Sequence, residues 1–561
     1  MTETTPRFWS RRFREILFPA LRSKPVSALV ALYWFVTRRR VRGWGQLLIA
    51  ASQAPFDYER WVASGERRAL GEFRRCSPAQ AALPVIALVV DGDCIDEREL
   101  DRTVENVRAG LGEGAVVRSI CGKSDAESLR SAVSLLANEH RKAWLFPILA
   151  GDMVSPALGD ILRRLPGDET APDLVYWDED RLDHDARRDP WIKPDWDPIL
   201  FGRLHGLAGA SVVSLSAANE AVERAGHFPD RGNLERLLMS VGCGGCSFVP
   251  EHIPLVLTHR SARNAIRHAV DGNSFAVPSA SDSAIQWPSV SVLVPTRDRA
   301  DLLAACLKGI ERTLYPGSLE LIVIDNGSRD PAALHLLDSL ANAPHSRVIR
   351  DDREFNFSRL NNSAAAVASG ELLCFLNNDV EPLDDNWLMT MVRHALDKGV
   401  GAVGAQLLYP SGRIQHAGVA IGIGGAAGHI QKGVDPSDDR FWTWHAVPRL
   451  VSAVTAAAMV VRKSSFLEVG GFDETAFPVA FNDVDLCLRL SHAGFRNIYA
   501  ADARLLHHES ESRGDDRSQA NAKRFASELQ RLQQRWQTKE YVDPHYSPLF
   551  SRVVERCVLA P

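Results

Sequence analysis

Five short polar segments carry the side chains able to do chemistry. Four are Pro295-Thr296-Arg297-Asp298, Asp325-Asn326-Gly327-Ser328, Asn377-Asn378-Asp379 and Asn482-Asp483-Val484-Asp485. Each closes an apolar run or starts a loop. The fifth, His507-His508-Glu509-Ser510, follows a short strand-like piece. Carboxylate oxygens suit Mg or Mn, and Mn also tolerates imidazole. A positioned carboxylate can also take a proton from a hydroxyl. Taken singly, an Asp after an apolar strand serves equally as a turn former or helix cap. Their order and context decide the reading.

The elements around them form an alternating pattern. Val290–Pro295 reads as a strand, Asp301–Thr313 as an amphipathic helix and Leu319–Ile324 as the next strand. Apolar strands separated by helices imply a parallel sheet covered on both faces. Functional groups then belong at the C-terminal strand ends, where strand order reverses. The first half alternates similarly from the strand Pro84–Val90 to about residue 270. Five regions follow: a basic, aromatic-rich helical arm (1–80), an α/β domain (81–275), a Ser/Ala/Pro linker (276–289), a second α/β domain (290–535) and a tail (536–561).

Composition narrows the class. The 561 residues carry a formal net charge of -5, against a dedicated nucleic-acid binder. Nine unpatterned cysteines suit a reducing compartment, hence a cytoplasmic site. Cys243 and Cys246 have no second ligand pair and read as a Gly-rich turn rather than a zinc site. The longest apolar stretch, Val26–Val36, is about half the ~20 residues that span a bilayer. The first 45 residues hold ten basic side chains against two acids, interleaved with aromatics such as Phe8, Trp9, Phe13, Tyr33, Trp34, Phe35 and Trp44. Two readings stand: the arm lies on an anionic membrane at its inner face, or the same residues pack it onto the body.

Residues 290–515 resemble the inverting family 2 glycosyltransferases with a GT-A fold, closest to the rhamnosyltransferase-like and O-antigen group. The resemblance rests on VSVLVPTRDR, LIVIDNGS, FNFSRLNNSAAAVASGELLCFLNNDVEP, GRIQHAGVAIGIGGAAGH, VTAAAMVVRKSSFLEVGGFDE, FNDVDLCLRLSHAGF and LLHHESESRG, in that order. It implies two GT-A-like, Rossmann-like domains with mostly parallel sheets, a nucleoside-diphosphate-sugar donor such as dTDP-rhamnose, and a glycan or lipid-linked glycan acceptor. It also implies a divalent cation, Mn or Mg. In the family's metal motif the last carboxylate is Asp379, while Asn377 replaces the first; Glu381 is nearby. Asp483 aligns with the catalytic base. Asp485, two residues on, is turned ~200° away if the helix has begun. His507 resembles a late metal ligand, with His508 as second choice, and the loop Ser510–Arg517 resembles a lid. The resemblance puts Pro295, Thr296, Asp298, Asp325, Asn377 and Asn378 against the nucleotide. Asn361 and Asn362 stand where the family has Arg-Asn, and Gln415, His416 and Gly418 are the sugar-pocket candidates.

Residues 84–270 resemble an amino-terminal GT-A-like module with eroded catalytic positions, carried by DLVYWDEDRLDHDARRDPWIKPDWDPILFGRLHGLAG and FVPEHIPLVLTHRSARNAIRHAV. Where the metal motif belongs the chain reads Ile148-Leu149-Ala150-Gly151-Asp152. Where the acidic pair belongs it reads Arg231-Gly232-Asn233-Leu234-Glu235. The acidic run Asp178-Glu179-Asp180, with Asp183 and Asp185, reads as a solvated loop. The rival to an inverting glycosyltransferase is a non-catalytic glycan-binding scaffold built of two decayed lobes. A nucleotidyltransferase would carry a Gly- and Lys/Arg-rich phosphate loop where Pro295-Thr296-Arg297-Asp298 stands.

Overall fold

The computed structural model describes residues 6, 10–79, 83–91, 97–112, 115–121, 126–140, 142–167, 171–184, 186–225, 233–244, 249–262, 264, 285–508 and 519–561. Most of the linker, the loop 510–517, and Phe8, Trp9, Asp185, Arg231, Gly232 and Cys246 lie outside the described residues. The chain forms two compact units. The first comprises Pro6–Pro278 with Ser547–Ser551 and Leu559–Pro561; the second comprises Ser279–Tyr546 with Arg552–Val558.

The first unit opens with four helices, Arg11–Ser23, Pro25–Val36, Arg40–Ala51 and Asp57–Cys76. Its sheet is built from β1 (Val85–Asp91), β2 (Val116–Cys121), β3 (Trp144–Leu149), β4 (Met153–Val154), β5 (Leu174–Asp183), β6 (Ala186–Trp191), β7 (Ser211–Ser214) and β8 (Glu251–Arg260). The strand order is β2-β1-β3-β7-β5-β8-β4, with β6 paired to β5. β1 runs parallel to β2 and β3, and β5 to β8, while the β7 and β4 pairings are antiparallel.

The acidic run in this unit is not a solvated loop. Asp178, Glu179 and Asp180 lie on β5, all at most 2% exposed. Each is compensated from elsewhere in the sequence. Asp178 accepts from Lys193 N (2.8 Å) and meets His252 Nε2 (3.0 Å). Glu179 accepts from Lys193 Nζ (2.9 Å) and from Arg260 Nε (3.1 Å) and Nη2 (2.9 Å). Asp180 meets Tyr58 Oη (2.6 Å), Arg187 Nε (2.6 Å) and His259 Nδ1 (2.7 Å). Like charges in succession are repulsive only when their counter-ions are missing, and strand β6, the segment just after it that holds Lys193, and strand β8 deliver them. Removing one partner of a buried pair strands the other charge, at about 3–5 kcal/mol. Arg260→Ala is therefore expected to lower the unfolding free energy of this unit by that amount in denaturant melts, with Arg260→Lys recovering only part of it because the two-pronged contact to Glu179 is lost.

The second unit uses β9 (Val290–Thr296), β10 (Leu319–Asp325), β11 (Ser346–Arg350), β12 (Leu372–Leu376), β13 (Val380–Pro382), β14 (Val400–Leu408), β15 (Ile414–His416), β16 (Val419–Ile421), β17 (Ala427–His429), β18 (Arg449–Val451), β19 (Ala458–Arg462) and β20 (Arg496–His507). The order is β11-β10-β9-β12-β19-β14-β20-β13. Apart from the extra edge strand β11, this is the strand order of the first unit. The fold is thus two tandem α/β domains behind a helical arm. Strands β9 to β12 pair in parallel, as continuous apolar runs require, whereas β19 is antiparallel to both β12 and β14. β9, β12 and β14 are buried along their whole length. Phe375 on β12 anchors the core against Phe472 and Phe466, ring centroids 4.9 and 5.2 Å away. That rigid centre fixes the strand end carrying Asn377-Asn378-Asp379.

Candidate active site

Register brings two distant groups together. β12 ends at Leu376, the chain turns through Asn377-Asn378-Asp379, and β13 begins at Val380. Val380 is paired with His507, the last residue of β20, and Asp379 O accepts from His508 N at 3.0 Å. His507 Nε2 consequently stands 3.2 Å from Asp379 Oδ1. Its Nδ1 is 2.7 Å from Gln415 Oε1 on β15. An amide oxygen only accepts, so Nδ1 carries a proton, and Nε2 is left facing the carboxylate. Two acceptors at that distance must share a proton or a cation.

The third group comes from a helix. In Asn482–His492, Asp483 sits in the first turn, with Phe481 left-handed (φ 60°) as the preceding residue. Asp483 Oδ2 accepts from Ala456 N at 3.1 Å, in the loop before β19. The approach to this turn is held by Glu528, which accepts from Val479 N (3.0 Å) and Ala480 N (3.2 Å). Asp485 points elsewhere. It is fully buried and bonded to Arg489 Nε (2.8 Å), Arg535 Nη1 (2.9 Å) and Trp536 Nε1 (3.0 Å), a structural knot.

Asn377, Asp379, Gln415, Asp483 and His507 line a single cleft of about 330 Å³, closed by Phe357, Phe481 and Phe525 among others. That volume falls within the range of small-molecule sites, ~300–1,000 Å³. Among the described residues, no group of three or more His, Cys, Asp or Glu side chains forms a metal cluster. Asp379 and His507 nevertheless fit a cation such as Mn, with remaining positions left to ligand oxygens and water. Partners that orient a metal-binding His typically influence affinity 10–100-fold. Gln415→Ala is expected to weaken Mn affinity by that factor with little change in melting temperature, measured by isothermal titration.

The other candidates sit around the cleft or behind it. Thr296 ends β9, and its Oγ1 accepts from Asn378 Nδ2 at 3.0 Å, linking that strand end to the Asp379 turn. Pro295 is buried beside Ile324 in the β9–β10 ladder. Asp298 (φ 52°) accepts from the N–H groups of Arg329 (2.6 Å) and Asp330 (2.9 Å), which hold its carboxyl below the usual range. Asp325, at the end of β10, accepts from Ser328 N and Arg350 Nη1, both at 2.8 Å. Three candidates have structural partners instead. Asn361 is fully buried and donates to Phe357 O within its own helix (2.9 Å). Asn362 bonds Phe472 O (2.8 Å) and Glu474 Oε1 (2.9 Å). Gly418 (φ 92°) makes the turn into β16, where a Cβ would lie 2.6 Å from Val451. His508 is on the opposite strand face from His507, 2.7 Å from Glu381 Oε1.

His416 is fully buried behind the cleft, and burial, with His429, Arg449 and His507 nearby, holds its imidazole well below the usual range. Its Nδ1 lies 2.9 Å from Nδ1 of His429, which itself lines the cleft. His429 arrives through the β16–β17 hairpin, paired with Val419. Sequence reasoning passed over it, although the GGAAGH segment that holds it was in view.

The first unit has the same strand order with other residues at the corresponding positions. Asp152 precedes β4 as Asp379 precedes β13, and Met153 pairs with His259 as Val380 pairs with His507. Here Asp152 is bonded to Arg260 Nη1 (3.1 Å), Ser261 N (2.9 Å) and Asn264 Nδ2 (3.0 Å). His259 is turned onto Asp180. Glu235, like Asp483, accepts from a loop before an antiparallel central strand, at Leu207 N (3.1 Å) and Ala208 N (3.0 Å). A guanidinium thus neutralises the carboxylate that in the second unit faces an imidazole.

The chain is similar to known proteins over most of its length. An uncharacterized protein, y4gI, of Sinorhizobium fredii is 33% identical over 494 residues, 82% of this chain and 54% of that protein. The O-antigen biosynthesis protein RfbC of Myxococcus xanthus is 34% identical over 408 residues, 65% of this chain and 31% of that protein. An N-acetylglucosaminyl-diphospho-decaprenol L-rhamnosyltransferase of Mycobacterium tuberculosis is 43% identical over 68 residues, 12% of this chain and 22% of that protein. The chain spans about half the length, or less, of these curated relatives. Within the second unit, residues 291–467, which carry the Asp379 turn, Gln415, His429 and the Ala456 loop, match the family model for glycosyl transferase family 2.

Proposed function

We propose that the chain is an inverting glycosyltransferase of polysaccharide or O-antigen synthesis, moving a sugar from a nucleoside diphosphate to a glycan or lipid-linked glycan acceptor. The observation that carries this reading is the convergence of Asp379, His507 and Asp483 on one cleft. Asp379 and His507 are the residues that would hold a divalent cation, and Gln415 keeps the imidazole in the tautomer that can do so. When bound, such a cation neutralises the charge that builds on a departing diphosphate. Asp483 takes the proton from the acceptor hydroxyl at its carboxylate as that oxygen attacks the anomeric carbon from the face opposite the diphosphate. The Ala456 N–H keeps this carboxylate aimed. The Asn377 amide suits a ribose hydroxyl, and Thr296, Asn378, Asp298 and Asp325 form the nucleotide side. Attack in a single displacement inverts the anomeric centre and needs no enzyme-bound sugar.

The rhamnosyltransferase among the relatives makes dTDP-rhamnose the first donor to try. A thermal-shift screen of dTDP, UDP and GDP and their sugars, with and without Mn, tests the reading. A donor at 100 times its dissociation constant stabilises the native state by ~2.7 kcal/mol. One nucleotide series is expected to raise the melting temperature in the presence of Mn, and to be hydrolysed slowly. A scaffold of decayed lobes predicts no metal-dependent shift and no hydrolysis with any donor.

A further inference from the structure

Exposed apolar side chains gather in the N-terminal arm. On the helix Pro25–Val36, Val26 is 73% exposed, Leu29 59%, Tyr33 63% and Val36 75%, with Val30 between them at 38%. These positions, i, i+3, i+4, i+7 and i+10, fall within an arc of about 120°. Ala28, Ala31 and Phe35 occupy the opposite side and are buried. That inner side is fully used. Phe35 meets Phe13 edge-on with centroids 4.8 Å apart, and Trp44 stacks on Phe13 at 6.5 Å. The arm therefore splits its aromatics between two jobs: one set closes a small helical core, and the outward stripe contributes nothing to that closure.

Cations rim the stripe. Arg22 and Lys24 precede the helix, and Arg38, Arg39, Arg40 and Arg42 follow it, all exposed. Between residues 10 and 45 the sole acid is Glu15, which is paired with Arg11. Arg42 lies over the Trp34 ring at 4.4 Å, keeping its charge beside the apolar face. A dimer interface would bury this positive rim against an identical positive rim. An anionic bilayer pairs with both components: headgroups with the cations and the acyl boundary with the stripe. The helix has 12 residues, about 18 Å at 1.5 Å each, against a hydrocarbon core of ~30 Å. Among the described residues, no helix is long and apolar enough to cross a membrane.

We infer that the outward face of Pro25–Val36, with its flanking arginines, seats in the interface of an anionic lipid bilayer, parallel to its plane. The inference stands apart from the catalytic reading. Its test is co-sedimentation of the full chain with vesicles of phosphatidylcholine alone or with about a third phosphatidylglycerol. The chain is expected to bind the anionic vesicles and to be released by high salt. Each arginine near such a surface is worth about fivefold in partition, so R38Q/R39Q/R40Q is expected to bind roughly a hundredfold more weakly. L29E/Y33E is expected to lose binding by more than tenfold, and both variants to keep the wild-type melting temperature because the altered side chains are exposed. Equal recovery on neutral and anionic vesicles overturns the inference, as does undiminished binding by either variant. A chain that ignores vesicles but dissociates from dimer to monomer on L29E/Y33E, by sedimentation velocity, assigns the face to a second copy and equally overturns it.

Discussion

Asp379→Ala is expected to reduce kcat/KM for sugar transfer at least a thousandfold and to leave the residual rate indifferent to Mn. A cation on a departing diphosphate is worth several kcal/mol of transition-state stabilisation, and each 1.36 kcal/mol is tenfold. The carboxylate is 4% exposed on a turn held by its own backbone, with Asp379 O bonded to His508 N. The fold therefore outlasts the loss of the side chain, and the melting temperature without ligand should move little. His507→Ala follows the same pattern with a smaller loss, since one oxygen ligand remains.

Asp483→Asn is expected to lower kcat by about 10²–10⁴ while the donor binds as before. An amide can still accept from Ala456 N, so the helix start is preserved. The informative contrast is Asp485, two residues away. Asp485→Ala takes one counter-ion from Arg489 and Arg535, which keep Val469 O and Asp473, and leaves Trp536 Nε1 unpaired; it is expected to cost about 1–3 kcal/mol of stability. One acid of the pair thus governs turnover and the other folding, and paired measurements of kcat and of urea midpoints for both variants separate them.

The strands and the residue types at their ends were legible because buried strands are long apolar runs and their ends are polar. The parallel segment β9 to β12 followed from that pattern. The antiparallel central strand β19 did not, because a buried strand reads the same in either direction. Asp379 and His507 were visible as chemistry, but the register that places them 3.2 Å apart is a long-range pairing invisible to local pattern. Asp178-Glu179-Asp180 misled for the converse reason. The strand alternation was hidden by three acids in a row, and their counter-ions Lys193, Arg187 and Arg260 lie up to 81 residues away. Asn361 and Asn362 looked like ligand contacts because a known motif has polar residues there; the helix Phe357–Val367 instead turns Asn361 into the core and Asn362 onto Phe472 and Glu474. His429 was missed because a glycine-rich stretch carries no strand signal in sequence, whereas it forms a hairpin that brings an imidazole back to the cleft.

On the proposed function, one cation, one carboxylate and one imidazole in the second unit serve a single donor, while Arg260 stands beside the corresponding carboxylate in the first. Titration of Mn into the full chain with saturating nucleoside diphosphate, read by isothermal calorimetry, tests it most directly. One Mn per chain is expected for wild type and for Asp483→Asn, and none for Asp379→Ala or for the double replacement of Asp379 and His507. Undiminished Mn binding after that double replacement, or its loss on Asp152→Asn in a folded chain, would place the cation elsewhere than at Asp379 and His507.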